Sequence, residues 1–77
     1  MNIKIGDTLV CVIHGVRYES KIENIEIVER AGEKNGIPVP VVGIETVKAN
    51  KAVFDLKNGK FAYSDQVLEI NGEYIWK

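Results

Sequence analysis

The sequence has very few of the residues from which metal centres and reactive sites are usually built. Its 77 residues include one cysteine and one histidine. A single cysteine, Cys11, excludes an internal disulfide and a thiolate metal cluster, and we expect a reducing, cytoplasmic location. With His14 as the only histidine and no Cys-x-x-Cys pair, transition-metal ligands are almost absent. We therefore expect no metal and no cofactor.

Long apolar runs and phosphate-binding loops are also missing. The longest strictly apolar run covers residues 9–13, which is far too short to span a bilayer. The first residues, MNIKIGD, lack the apolar stretch of a signal peptide. Neither of the common glycine-rich phosphate loops is present, nor a spaced Asp/Asn calcium loop. We expect no membrane partner.

The one pair that could act as nucleophile and base is Cys11 with His14. On a strand, residues three positions apart point to opposite faces, so the two side chains cannot form a dyad without a break between them. Cys11 lies inside an apolar run, which favours a buried structural thiol. The sequence therefore predicts that the protein is not an enzyme.

The length and charge indicate one small domain over residues 1–77. The net charge is −1, so no overall charge favours nucleic acid or an anionic membrane. Locally the charges separate, with five glutamates between residues 19 and 33 and four lysines, Lys48, Lys51, Lys57 and Lys60, further on. They could be two solvated faces, or faces that meet between subunits or steer a partner.

The firmest structural prediction is a β-hairpin over residues 51–70. Asn58-Gly59 separates two short alternating runs and favours a two-residue type I′ turn, since Asn and Gly accept positive φ. That turn would place Leu56 opposite Phe61 and Phe54 opposite Tyr63, all on one core face. It would also place Lys57 directly opposite Lys60, a like-charge pair that folding does not require.

Residues 9–13 predict a strand with apolar residues on both faces. His14-Gly15 predicts a tight turn, after which the chain returns antiparallel to this strand. Residues 18–30 are compatible with a strand whose phase changes near Glu23-Asn24, or with a helix capped by Ser20. The β-branched residues favour the strand. Residues 31–40, with Pro38 and Pro40, predict a loop and a sheet edge. Residues 41–48 alternate as a strand that would expose Val47.

The end of the chain predicts a 3₁₀ turn, a strand and a final hairpin. Ser64-Asp65-Gln66 has the side chains of a tight turn, and residues 67–70 supply the strand. Asn71-Gly72 then predicts a second turn that brings Tyr74 and Trp76 to one side. A terminal Trp76 either caps the core or packs on another chain.

This order of five to six short strands, tight turns and a 3₁₀ turn resembles the SH3-like small β-barrels of the KOW and Tudor-like group. Residues 5–9, IGDTL, followed by Gly15, are similar to the opening of KOW domains. The Asn58-Gly59 hairpin, Ser64-Asp65-Gln66 and the closing residues 67–70 resemble the end of Tudor-like barrels. The resemblance implies an all-β, partly open barrel of short antiparallel strands. It does not extend to RNA binding, because glutamates stand where KOW domains have basic residues.

These observations favour a small non-enzymatic binding module that acts through protein–protein interaction or self-assembly as a homo-oligomer. The alternative is nucleic-acid or nucleotide binding through the basic segment, residues 48–60, with Tyr63 as a stacking platform. A small domain of this kind would also suit a phage or mobile-element accessory protein that inhibits a host factor or sequesters a nucleotide. The candidate binding residues are Lys48, Lys51, Lys57, Lys60, Tyr63, Tyr74 and Trp76.

Overall fold

The computed structural model describes residues 1–77 and consists mostly of antiparallel strands. The nine strands are β1 (Asn2–Lys4), β2 (Thr8–Ile13), β3 (Val16–Ile27), β4 (Ile37–Val39), β5 (Val41–Gly43), β6 (Ala52–Leu56), β7 (Phe61–Tyr63), β8 (Val67–Ile70) and β9 (Glu73–Tyr74). A short helix, α1 (Ile44–Lys48), and a 3₁₀ turn (Ser64–Gln66) complete the chain. The predicted β-rich antiparallel class is confirmed. The predicted number of strands is too low, since five of the nine strands are only two or three residues long.

Strand β3 connects the two halves of the main sheet. The strand order is β7-β6-β3-β2-β8-β9, β4 pairs with β3, and β1 and β5 form a separate two-stranded sheet. The first half of β3 pairs with β2, and its second half pairs with β6 and β4. The register shifts between Ile22 and Asn24, where the phase change was predicted. Ile22 and Ile25 therefore both reach the core, and the helical alternative is wrong.

The core lies between these pairings and includes side chains from nearly every element. Phe54 is the largest fully buried side chain, and it packs with Leu9, Ile22 and Leu56 among others. Ile3 faces Val42 across the two-stranded sheet, and both side chains are buried in the same cluster. The small sheet thus covers one side of the core.

The prediction of one strand over residues 41–48 is wrong in its second half. Residues 44–48 form α1, and Val47, predicted to be exposed, is completely buried. Ile44 and Val47 are three positions apart, so a helix directs both toward the core while alternation would separate them. Asn50, with φ of 60°, ends the helix in the left-handed conformation.

The Asn58-Gly59 hairpin forms, but its predicted turn and register are wrong. Leu56 pairs with Lys60 around a three-residue loop, and Gly59 alone has positive φ, +86°. Phe54 therefore faces Ala62, and Asp55 faces Phe61. Phe61 and Tyr63 lie on the outer side of the sheet rather than in the core. Lys57 belongs to the loop and does not face Lys60.

The other tight turns agree with the sequence. His14-Gly15 and Asn71-Gly72 have positive φ at both central residues, as a two-residue type I′ turn requires. Residues 64–66 form the predicted 3₁₀ turn. Trp76 packs against the core, and its indole N–H donates to the carbonyl of Val67.

Candidate functional site

A groove runs along the free edge of β7, which has β6 as its only strand partner. The groove has a volume of about 330 Å³. We call it the β7 groove, and its lining residues are Ile13 and His14 from the end of β2 and the following turn, Gly59, Lys60, Phe61 and Tyr63 from the β6–β7 hairpin, and Gln66 from the 3₁₀ turn. The lining thus combines one aliphatic side chain, two aromatic rings, and the polar side chains of His14, Lys60 and Gln66.

The two aromatic side chains of the groove contact each other, and Phe61 also contacts Lys34 outside the groove. Phe61 and Tyr63 contact each other edge to face, with ring centroids 5.5 Å apart. The Lys34 ammonium lies 4.9 Å from the centre of the Phe61 ring and 3.3 Å from a carboxylate oxygen of Asp55. It also lies 4.0 Å from a carboxylate oxygen of Glu26. Even so, 39% of Phe61 remains accessible, which is high for a large aromatic residue.

Lys60 supplies the positive charge of the β7 groove. Its ammonium lies 4.8 Å from the centre of the Tyr18 ring, a cation–π distance, and it forms no ion pair with a carboxylate. The residues that line the groove include no aspartate or glutamate. An anionic group entering the groove would therefore find an unpaired cation and no repelling carboxylate.

A second groove of about 260 Å³ lies under the loop between β3 and β4. Glu29, Glu33 and Lys34 line it, so its net charge is negative and has the opposite sign to that of the β7 groove. The backbone N–H of Gly36 donates to Glu26 at 3.0 Å and holds this loop on the sheet. A Cβ at Gly36 would stand 2.1 Å from the carbonyl oxygen of Ile27, so only glycine fits there.

The structure brings only two of the seven candidate binding residues into the β7 groove, Lys60 and Tyr63. Lys57 is exposed on the adjoining loop, whereas Lys48 and Lys51 precede β6 at its other end. At about 3.3 Å per residue, the path from Lys51 to Lys57 spans roughly 20 Å. The four lysines therefore do not form one continuous patch.

The two remaining candidates lie at the other end of the main sheet. Tyr74 is on the short edge strand β9 and is 51% exposed. Trp76 is partly buried against the core, which is one of the two positions predicted for it. Neither residue lines the β7 groove.

Cys11 and His14 do not form a reactive pair in this structure. Cys11 is fully buried, and burial raises the pKa of its thiol above its usual range. No group of three His, Cys, Asp or Glu side chains gathers where it could hold a metal ion. The β7 groove presents an aromatic surface, an amide, an imidazole and an ammonium.

The sequence reasoning missed the contributions of Ile13, His14, Phe61 and Gln66. A two-residue turn at Asn58-Gly59 places Phe61 in the core, whereas the loop in the structure is one residue longer. The alternating pattern itself contained a usable signal, because Phe61 and Tyr63 flank Ala62. A small residue between two aromatics fits a strand whose inner position faces the large side chain of Phe54.

A scan against protein-family models finds no match, and comparisons with curated proteins and with solved structures find none either. Neither helix of the structure has the length and apolar character that crossing a bilayer would demand.

Proposed function

We propose that this protein is a non-enzymatic binding module that holds a protein partner in the β7 groove. The observation that supports this most directly is the accessible Phe61 ring, which contacts Lys34 and Tyr63 and lines the same groove as Lys60. Aromatic side chains are enriched at protein interfaces, and tyrosine is among the residues that dominate their binding energy.

We further propose that the domain is an SH3-like, partly open barrel. In support, β2, β3, β6 and β7 follow one another as an antiparallel meander, and a 3₁₀ turn leads to β8, which returns to β2. The long strand β3 bends between the two groups of strands. The two-stranded sheet, β4 and α1 would then be additions to this framework.

The accessible surface area of the isolated chain favours a partner protein other than a second copy of this chain. Its accessible surface is 4587 Å², and a compact monomer of 8.6 kDa is expected to expose about 4,700 Å². The chain alone thus buries as much surface as an ordinary monomer of its size. Light scattering coupled to size exclusion tests this point, and a stable dimer that Lys60→Glu dissociates would assign the groove to self-assembly.

The test of the proposed function is affinity purification with three baits, the wild type, Lys60→Glu and Lys48→Glu. The two variants make the same charge change, but only Lys60 lines the groove. Mass spectrometry of the eluates should find a protein retained by the wild type and by Lys48→Glu and lost with Lys60→Glu. A partner retained equally by all three baits would place binding elsewhere and contradict the proposal.

A second candidate function is nucleotide binding in the same groove. The observation that favours it is that Lys60, Phe61 and Tyr63 line one groove, because an aromatic face can stack on a base at about 1–3 kcal/mol while an ammonium contacts phosphate. The eluates should then contain a nucleotide with absorbance at 260 nm that Lys60→Glu removes. A wild-type protein purified without any excess absorbance, and unmoved by added nucleotides in calorimetry, would exclude this candidate.

A further inference from the structure

The backbone at the edge of β7 has hydrogen-bonding groups that face the β7 groove. Leu56 N–H donates to the Lys60 carbonyl, so the bonds to β6 belong to Lys60 and, two residues on, to Ala62. Because antiparallel bonds alternate, the N–H and C=O of Phe61 and Tyr63 point away from β6. The N–H of Tyr63 confirms this direction, since it donates to the Gln66 side chain at 2.9 Å.

Phe61 is therefore the residue whose backbone donor and acceptor lie open at this edge. No other strand pairs with β7, and the Gln66 amide already occupies the donor of Tyr63. An extended peptide that lies in the groove can add to β7 as a strand by exchanging two hydrogen bonds with Phe61. Its side chains would then alternate between the groove walls and solvent.

The charges of the groove restrict the sequence of such a peptide. Lys60 has no carboxylate partner, the neighbouring Lys57 is exposed, and no acidic residue lines the groove. An acidic segment gains an ion pair with Lys60 without meeting like charge, whereas a basic segment is repelled. The apolar side chain of Ile13 and the ring of Phe61 favour an apolar residue next to the acidic one.

We propose that the β7 groove binds an extended acidic segment of a partner protein, which adds a short strand to β7 through the Phe61 backbone and places a carboxylate on Lys60. This inference rests on the proposed function, because it specifies the chemistry of the partner in the same groove. The limited backbone pairing makes the side-chain contacts decisive for affinity and the backbone contacts decisive for orientation.

The experiment uses two synthetic eight-residue peptides, one alternating valine with glutamate and one alternating valine with lysine. Titration of ¹⁵N-labelled protein should show that the glutamate peptide shifts the amide signals of Lys60, Phe61 and Tyr63. At saturation, hydrogen exchange of the Phe61 amide should slow by about tenfold or more, because the amide becomes hydrogen-bonded. The lysine peptide should bind more weakly.

Two variants separate the charge contact from a general change in net charge. Lys60→Glu should weaken binding of the glutamate peptide by about fivefold to tenfold, as the loss and reversal of one exposed ion pair predicts. Lys48→Glu, which changes the net charge equally, should leave the affinity unchanged. The amide spectra of both variants report whether they remain folded.

Three results would overturn the inference. The lysine peptide could bind as tightly as the glutamate peptide, the bound peptide could leave the exchange of Phe61 unchanged, or adenosine monophosphate could shift the groove signals where neither peptide does. In each case the purification with the Lys60 and Lys48 variants remains an independent measure of the proposed function. A protein partner that depends on Lys60 would then show that the groove binds a protein in another form.

Discussion

The buried hydroxyl of Ser64 gives the sharpest test of how the β7 groove is held in place. Ser64 is 0% exposed, and its Oγ accepts a hydrogen bond from the Ala52 N–H at 3.0 Å and donates one to the Ala52 carbonyl at 2.8 Å. These two bonds tie the 3₁₀ turn, which supplies Gln66 to the groove, to the start of β6. Ser64→Ala removes both bonds at once.

The expected loss follows from the two backbone groups that Ser64→Ala leaves without this partner. A buried polar group without a hydrogen bond costs about 1–3 kcal/mol, and partial relaxation makes the sum for Ala52 roughly 2–4 kcal/mol. A domain of this length has a free energy of unfolding of about 4–12 kcal/mol. The variant should therefore lose a large share of its stability.

Urea unfolding followed by Trp76 fluorescence measures this loss, since Trp76 is partly buried against the core. Ser20→Ala is the matched control, because the Ser20 hydroxyl makes only an exposed bond to the Lys21 carbonyl at 3.3 Å. Its effect should stay within about 0.5 kcal/mol. If Ser64→Ala lost no more than Ser20→Ala, the reasoning about buried backbone groups would be refuted.

Three further substitutions have defined outcomes in the same unfolding assay. Lys34→Met should lower the free energy of unfolding by about 1 kcal/mol, and by less in 1 M salt, because it removes the ion pairs of Lys34 and its contact with Phe61. Arg17→Met is the control and should cost almost nothing, since the Arg17 side chain is 61% exposed. Equal losses for the two variants would contradict this. Gly36→Ala should destabilise more than Gly32→Ala, since only the former places a Cβ against backbone; a smaller loss at Gly36 would be the contrary result. Burial raises the pKa of the Cys11 thiol in the folded protein. The contribution of the neutral thiol to the free energy of unfolding is therefore complete below its unfolded-state pKa of about 9.0 and falls as the pH rises above that value. Cys11→Val should lack that part of the alkaline loss, and an identical pH profile would refute the assignment.

Much of the fold could be predicted because its signals are local. His14-Gly15 and Asn71-Gly72 specify their turns through residues that accept positive φ. The bend in β3 could be predicted because Ile22 and Ile25 are three positions apart and a regular strand cannot bury both. Such features depend on neighbouring residues alone.

The errors concern features that depend on distant packing. Asn58-Gly59 is compatible with a two-residue turn and with a three-residue loop, because both accept glycine in the left-handed region. The choice follows from volume, since the shorter loop would direct both Phe61 and Tyr63 at Phe54, where the structure has Ala62. Packing against the core likewise decides whether a segment such as Ile44–Lys48 forms a strand or a helix.

The candidate site was only half predictable for the same reason. Lys60 and Tyr63 could be named from charge and side-chain type, but their neighbours Ile13, His14 and Gln66 come from other parts of the chain. Only the meander of strands brings those residues to one groove.

The three-residue loop between β6 and β7 has a consequence for how this protein can vary. A shift of one residue in the pairing between β6 and β7 would turn β7 inside out, because successive residues of a strand face opposite sides. Phe61 would then compete for the core, and Ala62 would take its place under Lys34. A change in the length of this loop keeps the groove only where Asp55 still faces Phe61 and Phe54 still faces Ala62. The pairing of Phe61 with Asp55 is therefore the feature by which a related chain that keeps the β7 groove could be told from one that has lost it.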